Sequence, residues 1–178
     1  MKKVSLIIIV ALAVSILTII QTSCERSPAI EELKTYFEII AMETKWVKKY
    51  YNPVLPKLIL VPAISFRAKN ITDKPIKYVS FNAIFSLKGE QEILGDKLLV
   101  AIRGKPLMPG DETEVLFMKS NFGVEGKLPA EFKNNPFWKK ALVKLFIKSR
   151  GSQYALVGEW EISREIDFKE DEEVGPKK

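Results

Sequence analysis

The stretch IKYVSFNAIFSLKG, residues 76–89, indicates the fold class of this chain. Its apolar residues recur at every second position, which is the pattern of a strand that buries one face. The dipeptide Lys88-Gly89 then ends the run with a turn. The apolar face consists of Val79, Phe81, Ala83, Phe85 and Leu87. The stretch therefore predicts a β-strand against a hydrophobic core.

Further strands are predicted on both sides of this stretch. PKLILVPAISFRAKN (residues 56–70) also alternates, and Pro62 predicts that this strand bends or lies at an edge. Three more segments predict strands, the last of them a hairpin about Gly151-Ser152: LGDKLLVAI (94–102), EVLFMKS (114–120) and KALVKLFIKSR with QYALVGEWEISREI (140–166). Residues 121–138 predict an irregular loop or a short helix. Because no helices alternate with the strands, the fold class is mainly β, an antiparallel sandwich or barrel.

The turns between these strands carry a family resemblance. The pieces KNITDKPI (69–76), YVSFNAIF (78–85) and LMPGDETEVLF (107–117) resemble small immunoglobulin-like domains found in bacterial envelope lipoproteins. The resemblance covers roughly residues 57–166 and implies an immunoglobulin-like β-sandwich. Its motifs are turns and core positions, so it bears on fold and not on function.

A helix is predicted before the first of these strands. Ser27-Pro28 is a good helix start, and Ile30, Leu33, Phe37 and Ile40 recur at helical spacing. We expect an N-terminal helix from about residue 28 to residue 42, packed on the domain. The alternative is a helix lying on a membrane surface.

The first residues have the layout of an export signal. Met1-Lys2-Lys3 precedes an uncharged run from Val4 to Ile20, which is at the short edge of the length needed to span a bilayer. The stretch ending in Thr22-Ser23-Cys24 resembles a bacterial lipoprotein signal. That resemblance implies cleavage before Cys24 and lipid on its sulfur, with palmitate-type acyl chains. The alternative is an uncleaved run that serves as a membrane anchor.

These features divide the chain into segments. We expect a lipoprotein-type signal peptide at residues 1–23, a linker with the N-terminal helix at 24–55, the β-sandwich domain at 56–167 and a charged disordered tail at 168–178. The net charge is +6, but lysines are scattered among acids, so we expect no nucleic-acid partner.

The composition also limits the chemistry. The chain has no histidine and one cysteine, which removes Ser–His and Cys–His catalysis and thiolate or imidazole zinc sites. We expect no catalytic residue, no metal and no cofactor. The one carboxylate pair considered for acid–base hydrolysis is Glu159 with Glu161, and a solvated sheet face is the favoured interpretation of that pair.

Aromatic residues beside lysines are the candidate binding residues. Trp46, Tyr50 and Tyr51 lie in KWVKKYYNP, and Trp138 lies in the irregular segment. Aromatic side chains give contact area at low entropic cost, so these residues could form a binding surface. The alternative is that they close the ends of the sandwich core.

Together these observations predict a non-enzymatic, lipid-anchored cell-envelope protein that faces the periplasm or the cell exterior. Its partners would be the membrane, through the lipid on Cys24, and another protein or envelope component, bound by the sandwich. The alternatives are a carrier or sensor of a small apolar ligand, a carboxylate-dependent hydrolase, and a structural subunit of an envelope machine. The choice of membrane and the oligomeric state stay open.

Overall fold

The structure is a computed structural model that describes residues 29–133, 135 and 138–168. Strands make up 61% of these residues and helices 7%, so the predicted mainly β fold class is confirmed. The predicted signal peptide, Cys24, Ser27, Pro28 and nearly all of the predicted tail lie outside the described residues.

Two short helices and nine strands form the described chain. In order they are α1 (Ile30–Lys34), β1 (Phe37–Asn52), β2 (Lys57–Asn70), β3 (Ile76–Leu87), β4 (Ile93–Leu107), β5 (Leu116–Lys119), β6 (Val124–Gly126), α2 (Pro129–Lys133), β7 (Ala141–Ser149), β8 (Ala155–Glu161) and β9 (Ile166–Asp167).

The strands form two sheets that face each other. In the first sheet, β2 lies between β1 and the two short strands β5 and β6, and β9 adds to the other edge of β1 in parallel. The second sheet has the order β4-β3-β7-β8 with antiparallel pairing throughout. The last hairpin, β7–β8, therefore packs beside the earlier hairpin β3–β4, as in Greek-key sandwiches.

The core lies between the sheets, where the alternating residues of β2 and β3 meet. The predicted inward residues Phe81, Ala83 and Phe85 are fully buried. Across the interface, the Phe66 ring packs edge-on against Phe81 with centroids 5.1 Å apart. Such pairs stabilise a core beyond the area they bury.

The predicted helix from about residue 28 to residue 42 is wrong beyond its first turn. The helix ends at Lys34, and β1 begins at Phe37 and pairs with β2 along its whole length. The sandwich thus starts near residue 37, not at residue 56. The apolar residues at helical spacing after Lys34 serve a strand instead, with Phe37 buried against Phe81.

Pro62 lies in a central strand, so of the two predictions for this strand, a bend or an edge position, the edge position is wrong. Its carbonyl accepts a hydrogen bond from the Ser120 amide at 2.9 Å, on the side of β2 where β5 has ended and β6 has not begun. Proline has no N–H to donate back to Ser120, so this pair keeps one hydrogen bond of two, at the point where the pairing of β2 with β5 ends.

The two turn motifs of the sequence meet at Asn70. This fully buried side chain donates from Nδ2 to the carbonyls of Lys74 (2.9 Å) and Leu107 (3.0 Å). Its Oδ1 accepts from the amide of Thr72 at 2.9 Å, and its carbonyl accepts from the amide of Gly110 at 2.8 Å. Asn70 therefore joins the β2–β3 turn to the β4–β5 turn.

The sandwich has two distinct ends. At one end, called the α1 end, the start of β1 pairs with Asn70, and α1 contacts β7 and β8. At the other, called the hairpin end, β1 and β2 meet in the turn of residues 52–57. Because β1 has 16 residues, these ends are about 50 Å apart.

Candidate functional site

Cys24 and the apolar run from Val4 to Ile20 lie outside the described residues. Among the residues that are described, no helix has the length and apolar character needed to cross a membrane.

Two of the predicted binding aromatics belong to the core. Trp46 and Trp138 are 1% and 5% exposed, and their rings pack with centroids 5.1 Å apart. Phe132 from α2 packs against Trp138 with ring centroids 5.7 Å apart. The Phe132 ring also lies against Gly126, where a side chain would collide with it. These rings close the core towards the hairpin end, so they are left out of the binding surface proposed below.

The two tyrosines of the prediction lie near the β1–β2 turn. Tyr51 is half-buried, and its ring packs edge-on against Phe168 with centroids 5.1 Å apart. Tyr50 is 45% exposed, and its phenol oxygen accepts a hydrogen bond from Asn52 Nδ2 at 3.3 Å. Of the four predicted aromatics, Tyr50 presents the largest free surface.

The carboxylates considered for hydrolysis lie on an open sheet face. Glu159 pairs with Lys144 at 3.6 Å and Glu161 with Lys140 at 2.6 Å, and all four side chains are exposed. The hydrogen bond from Lys140 holds the pKa of Glu161 below its usual range. A general acid needs a raised pKa and an enclosed position, so this pair has the geometry of two surface ion pairs.

A cleft of about 240 Å³ opens at the hairpin end. Its lining includes Phe132 and Trp138 together with the charged residues Glu90, Glu125 and Lys139. A carrier of an apolar ligand requires an enclosed apolar cavity, which this open, charged cleft is not.

The outer face of the β4-β3-β7-β8 sheet carries an apolar row that the sequence analysis did not single out. Asn82 on β3 lies opposite Leu98 on one side and Phe146 on the other, and Phe146 lies opposite Leu156. Leu98 is 52% exposed and Leu156 is 42% exposed. Phe146, between them, is half-buried.

The next row towards the α1 end continues this surface. Val100 is 41% exposed and lies opposite Ser80, which in turn lies opposite Lys148. Lys148 Nζ stands 5.0 Å from the ring centroid of Tyr154, which is 43% exposed. We call the two rows the outer-sheet patch, which consists of Leu98, Val100, Phe146, Tyr154 and Leu156.

Charged residues border the outer-sheet patch along the strands. Towards the hairpin end, the neighbouring row holds Asp96 and the Lys144–Glu159 pair. Towards the α1 end, Arg103 lies opposite Tyr78. An apolar centre with a charged rim is the usual anatomy of a protein-binding surface.

Three runs of consecutive apolar residues are the trace of the outer-sheet patch in the sequence: LLVAI (98–102), LFI (145–147) and ALV (155–157). A strand with one solvated face should alternate, so consecutive apolar residues indicate that both faces are apolar. The runs do not tell which of their residues become neighbours, because that depends on the register across four strands.

No protein-family model and no curated protein matches the chain. Among solved structures, the chain is similar to a crystal structure of a Bordetella pertussis protein given the name ApaA, at 15% identity and a TM-score of 0.38, over 72% of this chain and 94% of that one. It is also similar to the X-ray structure of the Northeast Structural Genomics Consortium target SoR45, at 9% identity and a TM-score of 0.41, over 74% of this chain and 89% of that one. These likenesses are too weak to carry a conclusion about function.

Proposed function

We propose that this protein is a lipid-anchored protein of the cell envelope that binds another protein through the outer-sheet patch, without catalysing a reaction. The observation that carries the proposal is the patch itself, in which Leu98 and Val100 on β4 lie across Asn82 and Ser80 of β3 from the half-buried Phe146, with Leu156 and Tyr154 beyond. Monomeric soluble proteins rarely expose contiguous apolar surfaces larger than a few hundred Å², and larger ones mark interaction sites.

The anchor in this proposal is the lipid on Cys24. The support for it is the order of a basic start, an apolar run and small residues before a cysteine. Two or more acyl chains hold a protein stably on a bilayer. The lipid would confine the domain to the membrane, facing the periplasm or the cell exterior, and raise its effective concentration near partners.

The chain geometry relates the anchor to the binding surface. The segment from Cys24 to Ala29 can span at most about 18 Å, so a lipid on Cys24 would keep the α1 end close to the bilayer. The centre of the outer-sheet patch lies opposite Asn82, on the order of 20 Å along β3 from the α1 end. A partner in the same membrane or close to it could therefore reach the patch.

Site-specific photo-crosslinking tests the binding surface. A photoreactive amino acid replaces Leu98 in the patch, and a matched variant carries it at Phe117, which is 44% exposed on β5 of the other sheet. After irradiation of membranes of the native host, we expect one discrete cross-linked species from position 98 and none from position 117.

A second substitution makes the test specific. Leu156→Glu, on β8, should abolish the cross-link from position 98 and leave the free energy of unfolding within about 0.5 kcal/mol, because Leu156 is exposed. The cross-linked protein is identified by mass spectrometry, purified and tested for binding to the parent chain and to Leu156→Glu. Equal cross-linking from both positions, or a purified partner that binds both chains equally, contradicts the proposal.

A further inference from the structure

We propose that the β1–β2 turn, residues 52–57, is a membrane-contact site that inserts into the head-group region of an anionic bilayer. Its Val54 and Leu55 side chains are 85% and 72% exposed, more than any other large apolar side chain that the structure describes. A protein in water gains nothing from presenting two adjacent apolar residues this fully. The proposal rests on this turn and does not depend on a lipid at Cys24.

The turn is held in one conformation. Asn52 Oδ1 accepts hydrogen bonds from the amides of Val54 (3.0 Å) and Leu55 (3.1 Å), which is an Asx-type turn. Pro53 and Pro56 enclose the two apolar residues and fix their own φ angles. A preformed turn loses little conformational entropy when it binds, so its apolar surface contributes more fully to affinity.

The neighbours of the turn are residues that favour a membrane interface. Tyr50, 45% exposed, places its phenol beside Asn52, and tyrosine is enriched where lipid head groups meet water. Leu128, 48% exposed, follows Gly126, which lies opposite Leu58 at the base of the turn. The exposed apolar surface at this end therefore extends beyond Val54 and Leu55.

The charge around the turn complements an anionic surface. Basic residues outnumber acidic ones on the strands and loops beside it: Lys48, Lys49, Lys57 and Lys127 against Glu125 and Glu131. Lys57 Nζ forms an ion pair with Glu125 Oε2 at 2.9 Å, and Lys49 Nζ donates a hydrogen bond to the carbonyl of Asn121. Lysines beside an apolar tip can extend along it and keep their ammonium groups among lipid phosphates.

The shape of the turn favours lipid over a protein as its occupant. A convex tip of two aliphatic side chains needs a concave partner if that partner is rigid, whereas a bilayer deforms around it. The turn lies about 50 Å from the α1 end, so a chain also attached near residue 24 would lie with its long axis along the membrane.

A fluorescence experiment on the full-length chain tests the inference. Cys24→Ser removes the native thiol, Leu55→Cys introduces a new one, and the new thiol carries an environment-sensitive dye. The labelled protein is bound to phosphatidylcholine vesicles with or without phosphatidylglycerol, some of them containing spin-labelled phospholipid as a quencher. The matched control is Cys24→Ser with Leu98→Cys, labelled in the same way on the outer-sheet patch.

We expect lipid-borne quenching at position 55 at least about threefold stronger than at position 98 in anionic vesicles, with a blue shift of the dye. Removing phosphatidylglycerol should weaken the quenching, and adding Val54→Asp should abolish it without lowering thermal stability. Equal quenching at both positions would overturn the proposal. So would a dye at position 55 that stays in water on vesicles and is buried only when envelope proteins are added, because the occupant would then be a protein.

Discussion

Asn70 shows at the residue scale how the fold is specified. Its side chain and backbone join two turns that lie far apart in sequence, and every polar atom of its amide is used. The sequence alone indicates a turn at residues 70–75 through its Asn, Asp and Pro residues. It does not indicate that this asparagine is buried, because its partner Leu107 becomes a neighbour only in the folded sandwich.

Asn70→Ala should lower the free energy of unfolding by about 3 kcal/mol, since the part-buried hydrogen bonds to the carbonyls of Lys74 and Leu107 are lost together. Chemical denaturation of the parent and the variant measures the difference. The matched control is Asn121→Ala, which removes one exposed hydrogen bond to the carbonyl of Asp96 and should cost less than about 1 kcal/mol. Equal losses for the two variants would mean that Asn70 does not join the turns as described.

At the element scale, β1 is where sequence and structure differ most. Ile30, Leu33, Phe37 and Ile40 have helical spacing, yet the chain leaves the helix after Lys34. The residues that follow include Thr44, Trp46, Val47 and Tyr50, which favour strands. Pairing with β2 decides between helix and strand for residues 37–52. This long-range contact overrides the helical spacing of the apolar residues. The strands with clean alternation, β2 and β3, were predicted within one residue.

The crossing from β5 to β6 depends on Gly123. A Cβ atom there would lie 1.8 Å from the carbonyl oxygen of Leu60, which is backbone and cannot move aside. Gly123→Ala should therefore lower the free energy of unfolding by about 3 kcal/mol. It should also speed hydrogen exchange at the amides that pair β6 with β2.

Gly89→Ala is the control for this crossing. Gly89 has a φ of +84° and open space around its Cβ direction, so the substitution carries a backbone cost of about 1 kcal/mol and no clash. Unchanged hydrogen exchange across β6 in Gly123→Ala would contradict the close approach at Leu60.

The β7–β8 hairpin gives a prediction about pH. Glu161 has a lowered pKa, chiefly because of its hydrogen bond to Lys140, so any stability that the pair adds is present above the unfolded-state pKa and is lost as pH falls through the folded-state value. Lys140→Gln should raise the pKa of Glu161 towards its ordinary value of 4.5. A carbon-13 NMR titration of the carboxyl group measures this.

Lys144→Gln is the control for the titration, because Lys144 pairs with Glu159 instead. It should leave the pKa of Glu161 unchanged. An equal rise with both variants would mean that the positive charge of the sheet face, and not the hydrogen bond from Lys140, lowers the pKa of Glu161.

At the scale of the whole molecule, the envelope location stays a prediction from the sequence, and the outer-sheet patch is visible only in the folded chain. The export pattern is local and can be seen in residues 1–24, whereas the outer-sheet patch gathers residues from positions 98 to 156 through strand register. The lysines next to the aromatic residues in the sequence predict a binding surface, whereas Trp46 and Trp138 are core residues. Aromatic character alone does not separate a core residue from a contact residue.

The measurement that tests the central proposal most directly is the intact mass of the protein extracted from membranes of its native host, with Cys24→Ala as the matched variant. We expect a species that begins at Cys24 and carries the added mass of acyl chains, and this species should be absent from the variant. A chain that begins at Met1 without acyl mass would contradict the lipid anchor, because the run from Val4 to Ile20 would then remain attached to the domain.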